Sequence, residues 1–264
     1  MTQPIELPPK PSRSVFAIGV VVAAVALTVV SVLTVEFSLW GLIDNFGRRN
    51  PVAEGLTEIH WGEMFSERSR AAFLETLQMA VLGITGGVIL ALPLALWSTE
   101  VGNPYRIPRM VLRAVNNVIR AFPDLLWAGL FVLGVGIGAL SGLLALTFFS
   151  LAVLSKLTSD MLDGIDHGPI EAAEAAGARH TQMLRTAVVP QILPAFASFA
   201  LYAFELNLRA SAVLGLVGAG GIGTRLDFFR NRGEWGKLWG LVVMFFIVVF
   251  VVERISVAVR RRLV

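Results

Sequence analysis

The chain contains no cysteine and only three histidines among its 264 residues. Without cysteine there is no disulfide, no thiolate nucleophile and no Cys-ligated metal, although the absence does not identify a compartment. His60, His167 and His180 lie scattered, in no metal-ligand spacing, so no metal site is expected. Charge is scarce as well. Only 16% of the residues are Asp, Glu, Lys or Arg, against roughly a quarter in ordinary soluble domains. The formal net charge is just +3, and no nucleic-acid partner is expected. No serine, threonine or aspartate near the apolar runs forms a nucleophile–base pair, so no catalytic residue is expected either.

What fills the chain is apolar: 55% of the residues are hydrophobic, gathered in long blocks rather than in a 3.6- or 2-residue period. A block of about 18 or more residues with few charges crosses a ~30 Å hydrocarbon core as a helix. The blocks predict an all-α membrane protein with about six transmembrane helices, near 15–35, 72–97, 110–138, 142–162, 190–216 and 237–257. A polar, Pro-rich tail (1–14) precedes the first. That first run is too long for a cleaved signal core and lacks a small-residue exit, so it reads as a retained span. Residues 36–70 read as an external segment, 71–257 as the core and 258–264 as a basic tail. Lys10, Arg13, the stripe from Arg106 to Arg120 and the closing Arg260, Arg261 and Arg262 all fall on one side. Positive-inside placement then makes both termini cytoplasmic.

One motif invites a different reading. Gly218, Gly220 and Gly223 stand in the order G-x-G-x-x-G, the dinucleotide-binding fingerprint, which counts only between a strand and a helix of a βαβ unit. The apolar run before Gly218 is far too long for a strand, and the TRLDFFRNRGEWGK that follows does not read as a helix packing on a sheet. Gly218, Gly220, Gly221 and Gly223 are therefore expected at the outer end of a span, as an external gate or a point of tight packing. GEWGKL (233–238) fails as a P-loop, because Leu238 follows the lysine and the first glycine is too close. No cofactor is expected on this chain.

The stretch DGIDHGPIEAAEAAGARHTQMLRTAVVPQILP (163–194) reads as two short helices with a hinge. Gly168 as N-cap places Pro169 at the first helical position and Glu171 in the first turn, where it suits the helix dipole. Gly177 stops this helix, Thr181 caps a second, and Pro190 separates that one from the next span. The product is an elbow with a small-residue surface. It suits docking to another protein; it equally suits a connector packed on its own bundle.

The pattern E-A-A-x-x-x-G, here Glu171, Ala172, Ala173 and Gly177, leading into Pro190, resembles the EAA signature of binding-protein-dependent ABC importer permeases. The usual I-x-L-P ending is replaced by Ala187, Val189 and Pro190. LETLQMAVLG (74–83), RAFPDLLWAGLFVLGVGIG (120–138), LSKLTSDMLDGIDHGPIEAAEAAGA (154–178) and FELNLRASAVLGLVGAGGIG (204–223) resemble the phosphonate permeases in particular. The resemblance implies a type I importer permease fold in the bacterial cytoplasmic (inner) membrane. It implies a homodimer, a separate ABC ATPase carrying ATP and Mg, and an extracytoplasmic substrate-binding protein. It makes the loop 163–189 the ATPase-coupling element. The cargo it implies is a phosphonate, with phosphite, phosphate or methionine as alternatives; a non-transporting membrane scaffold would leave the loop unexplained.

Within the fifth span, Glu205, Asn207 and Arg209 sit near the middle, where a charge normally faces a bundle interior or a wet cavity. Glu205 and Arg209 are four residues apart in the favourable order, and could satisfy each other. Given the resemblance, they also mark a translocation pathway, Arg209 meeting an oxyanion and Glu205 holding the arginine or meeting a substrate amine. Arg106 and Arg109 are expected to meet anionic lipid headgroups. Arg120 and Asp124 are expected to pair or to shape the inner mouth, and Lys156 with Asp160 to form a structural pair.

Overall fold

The computed structural model describes residues 15–34, 40, 41, 43, 44 and 50–263. It divides into two units, residues 1–50 and 51–264. In the first, helix α1 (Val15–Thr34) buries none of its residues within the chain. A helix that is apolar all round and unburied in its own protein needs another apolar medium, and its 20 residues suffice to cross a bilayer.

The second unit holds α2 (Pro51–Thr57), α3 (Trp61–Met64), α4 (Glu67–Trp97), α5 (Arg106–Ala121), α6 (Asp124–Val135) and α7 (Ala139–Leu162). It continues through α8 (Gly168–Ala175), α9 (His180–Met183), α10 (Val189–Leu214), α11 (Gly221–Arg232) and α12 (Trp235–Arg260). No strand occurs among the described residues. Among the described residues, five helices are long and apolar enough to span a membrane, six if the bent pair α5–α6 counts as one span. The unit begins at residue 51, so α2 and α3, read above as an external segment, belong to the packed body. Trp239 donates its indole N–H to the Val52 carbonyl at 2.8 Å, and the His60 N–H reaches the Gly236 carbonyl at 3.1 Å.

The centre of the bundle is a close pairing of α4 with α7. Along α4, Ala72, Thr76, Ala80, Gly83, Gly87, Ala91 and Ala95 are buried at steps of three and four, a stripe of small residues. Such a stripe lets two backbones approach, which is how helices gain contact where lipid removes the hydrophobic drive. A Cβ on Gly87 would overlap the Ser150 side chain, and one on Gly83 would lie 2.8 Å from Leu146 Cβ.

Two expectations about proline are corrected. The run near 110–138 is not one straight span: α5 and α6 are bent by 91°. Phe122 takes an extended backbone (φ −82°, ψ 128°) because Pro123 excludes the helical conformation from its predecessor. Trp127 then donates its indole N–H to the Ile119 carbonyl at 3.2 Å, supplying a partner to one carbonyl orphaned by the break. Pro190, in contrast, separates nothing. A π-helical turn (Leu184–Val188) links α9 to α10, so that one apolar helix runs from His180 to Val217. Widening the ladder to i→i+5 just before the proline accommodates its ring and missing N–H without a break.

Candidate functional site

The elbow is closed by its own backbone. The helix starts one residue earlier than expected, with His167 as N-cap, and Asp166 Oδ1 accepts the Gly168 N–H at 2.9 Å. At the other end the Gly177 N–H donates to the Glu174 carbonyl at 2.9 Å and the Ala178 N–H to the Ala173 carbonyl at 3.0 Å. This is a Schellman motif with glycine at the left-handed position, φ +77°. It explains the glycine four residues after the last alanine of the E-A-A triplet. The second helix is capped by Arg179 rather than Thr181, its N–H donating to Gln182 Oε1 at 2.8 Å. Ile170 and Met183 bury into a cluster with Leu162, Val188 and Ile192. Glu171, Ala172, Glu174, Ala175, Ala176 and Gly177 remain exposed. The elbow is thus anchored by one apolar face and offers a small-residue face outward. Pro190, also exposed, lies on α10 above it.

Next to the elbow, two arginines of the α5 stripe reach other parts of the chain. Arg113 donates from Nε to the Ser98 carbonyl at 2.6 Å and from NH2 to Asp163 Oδ1 and Oδ2 at 2.8 and 3.0 Å. Arg109 lies 3.5 Å from Glu100, and its side chain is mostly buried. The expectation that Arg109 meets headgroups fails for that reason; Ile107, Met110, Val111 and Val118 occupy the exposed face instead. Arg106 is exposed. The Ser98 and Ser159 hydroxyls sit 2.8 Å apart, and Ser155 donates to the buried Asn116 at 2.8 Å. Lys156 pairs with Asp160 as expected. Arg120 and Asp124 line one small cavity with Trp127 and Phe148, but form no ion pair. The Arg113–Asp163 lock escaped sequence reasoning, because fifty residues separate its halves.

At membrane depth, Glu205 and Arg209 do not satisfy each other. Glu205 is buried and accepts from Arg260 NH2 at 2.8 Å. Arg209 donates to Glu253 Oε2 at 2.8 Å, their side chains 48% and 45% exposed. Both partners lie on α12, so two ion pairs join the antiparallel α10 and α12. A signal existed: the apolar run of α12 also carries Glu253, Arg254 and Arg260, and a charge in one span calls for its opposite in another. Asn207 has no exposed surface, and exchanges hydrogen bonds with Ser150 of α7 at 2.8 and 3.1 Å. It fastens α10 to the middle of the α4–α7 pair.

The outer glycines form a tight corner. Gly218, Gly220 and Gly221 all have positive φ, conformations that side chains rarely adopt. A Cβ on Gly223 would overlap the Ala212 carbonyl, so α11 packs backbone to backbone on the end of α10. The Gly138 N–H donates to the Gly218 carbonyl at 2.9 Å and the Ile222 N–H to Thr76 Oγ1 at 2.7 Å. A helix does follow the glycines, but what precedes them is a helix of 26 residues and not a strand. Beside it, Glu63 bridges α3 to Arg225 of α11 at 2.9 Å and accepts from Ser66 and Ser69, each at 3.0 Å. Burial pushes the Glu63 carboxyl up; the hydrogen bonds from Ser66, Ser69 and Arg225, with the guanidinium charge, outweigh it and hold the pKa below the ordinary value.

The model of the binding-protein-dependent transport system inner membrane component matches residues 83–264, which include the elbow, both ion pairs and the outer glycines. The chain belongs to this family. It is a multi-pass membrane protein. Over 236 residues it is 38% identical to the phosphate-import permease protein PhnE of Mycolicibacterium smegmatis (strain ATCC 700084 / mc(2)155), 89% of this chain and 44% of that one. It therefore spans less than half of that relative's length. Over 188 residues it is 35% identical to the phosphite transport system permease protein PtxC of Stutzerimonas stutzeri, 71% of this chain and 68% of that one. Among solved structures, a chain of the inward-facing MetNI methionine ABC transporter superposes with a TM-score of 0.64 at 23% identity. That likeness covers 76% of this chain and all of the other, and establishes the importer-permease fold. Both sequence relatives are named as permease proteins, one of phosphate import and one of a phosphite transport system.

Proposed function

We propose that this chain is the permease subunit of an ATP-driven importer that moves phosphonate-type anions across the bacterial inner membrane by alternating access. One observation carries the mechanism: the exposed elbow leads through a short turn into the helix that holds Glu205, Asn207 and Arg209. From His180 to Val217 the helix is 38 residues long, about 57 Å at 1.5 Å per residue. A push on Glu171–Gly177 is thus delivered along a stiff rod to Glu205, Asn207 and Arg209. A separate ABC ATPase, holding ATP and Mg, docks on the elbow; an extracytoplasmic binding protein delivers cargo at the glycine-rich end. Two copies of this chain face each other across the pathway, with all termini cytoplasmic and Arg120 and Asp124 near the inner mouth.

The division of labour follows from exposure. Glu205, buried on Arg260, is an anchor for α12. Arg209 is half exposed and held by a single carboxylate, so an arriving oxyanion can displace Glu253 and take over a planar, two-pronged donor. Phosphonate, phosphite and phosphate all present such oxygens, and relatives named for phosphate import and phosphite transport agree with this class. The four outer glycines form the gate, where a bare backbone lets α11 and α10 slide closely.

The test is co-purification followed by uptake. The tagged chain, extracted in mild detergent, should bring down an ATPase subunit. Cells expressing it should accumulate a labelled phosphonate, with phosphite and phosphate as competitors. A chain that retains no ATPase under any extraction condition refutes the importer reading, and methionine outcompeting phosphonate refutes the cargo class.

A further inference from the structure

We propose that the elbow-side end of α12 carries a slot for one anionic phospholipid, its phosphate on Arg261 and an acyl chain between α10 and α12. The slot is a shallow groove of about 470 Å³ between Ala195, Ser198 and Phe199 of α10 and Val257 and Arg260 of α12 with Arg261, which caps it. That volume falls within the range of about 300–1,000 Å³ typical of small-molecule sites. Its floor is apolar apart from the Ser198 hydroxyl. Of the two guanidiniums, Arg260 is already committed to Glu205 at 2.8 Å. Arg261 is exposed and forms no ion pair among the described residues.

An uncompensated guanidinium at the lip of an apolar groove matches a ligand that is anionic at one end and apolar along the rest. A free oxyanion has no use for the groove, and a neutral lipid has none for the arginine. The geometry also distinguishes this site from general attraction of the basic tail. Arg262, next in sequence and also exposed, does not line the groove. A bound lipid would bridge the same two helices that the Glu205–Arg260 pair joins two turns further along α10. The reading needs only that the chain sits in a bilayer, and it is independent of what is transported.

Native mass spectrometry of the full chain in detergent, titrated with phosphatidylglycerol or phosphatidylcholine, provides the test. One phosphatidylglycerol per chain should be retained about five-fold over phosphatidylcholine, the increment expected for one basic residue at a membrane surface. Arg261→Gln should abolish that preference, and Arg262→Gln should keep it. Ser198→Trp, which fills the groove but leaves Arg261, should lose the bound lipid; Ala195→Leu repeats the filling if the tryptophan impairs folding. Equal losses in the two arginine variants with retention in both filled ones would mean surface attraction without a slot. If filling the groove instead dissociates a dimer in the same spectra, the groove is an interface between copies, and the lipid site is refuted.

Discussion

Gly177 separates the two readings of the elbow, because the structure makes its backbone cost and its steric cost independent. Its φ is +77°, and a left-handed backbone costs an ordinary L-residue roughly 1–2 kcal/mol. Asparagine tolerates that conformation and should lose only a fraction of this. A Cβ built at Gly177 meets no atom of this chain within 4 Å. In the isolated permease, Gly177→Ala and Gly177→Trp should therefore lower thermal stability by the same small amount, and Gly177→Asn by less. With an ATPase seated on the elbow, the two diverge: tryptophan adds a large side chain where the small-residue face meets its partner. The assay pairs detergent melting curves of the purified chain with ATP-dependent phosphonate uptake in proteoliposomes. Equal melting of Ala and Trp, with uptake abolished only in Trp, supports docking. If Trp melts much lower than Ala, the elbow packs on its own bundle. If Trp transports like Ala, nothing docks at Gly177 and the coupling assignment fails.

The two α10–α12 ion pairs should respond differently. Arg260→Gln leaves the buried Glu205 unpaired, costing about 3–5 kcal/mol, whereas Arg209→Gln at a half-exposed pair should change stability by less than about 1 kcal/mol yet sharply reduce uptake; melting and uptake measured together decide this, and unaffected transport in Arg209→Gln would return that pair to a packing role. Gly87→Val should overpack the α4–α7 seam against Ser150 and cost on the order of 1–3 kcal/mol, read as a lower melting temperature; Gly62→Val, where a Cβ meets nothing within 4 Å, is its control. The depressed pKa of Glu63 means its stabilisation is complete above the unfolded value, near 4.5, and is lost as pH falls through the lower folded value. The melting-temperature gap between wild type and Glu63→Gln should thus be widest at neutral pH and close in acid; a gap independent of pH would show that the carboxylate charge plays no part.

The features legible in the sequence are those fixed by neighbours along the chain. The E-A-A-x-x-x-G spacing specifies a short helix and its left-handed stop without reference to anything distant, and the backbone closes as the pattern requires. Long apolar blocks likewise mark spans, since a helix satisfies its own backbone in lipid. Proline shows where this local logic ends. Pro93, Pro190 and Pro194 all continue in helices, whereas Pro123 ends one. What distinguishes Pro123 is the period before it. Residues 106–120 are apolar on one face and basic on the other, and Arg113 ties that basic face to Ser98 and Asp163. The sequence around Pro93 and Pro194 is apolar all round. A helix bound to a polar partner on one side has a fixed roll and direction, and the apolar α6 cannot continue along it, so the chain bends where the backbone before proline is already extended. The charge pairs were illegible for a related reason. Spacing of i,i+4 shows that Glu205 and Arg209 can reach each other, but both can also reach an antiparallel helix, and only tertiary placement decides the competition. Because α12 brings opposite charges to both, each charge on α10 gains an interhelical partner, and the helix that begins at the elbow is tied to the last helix at two heights.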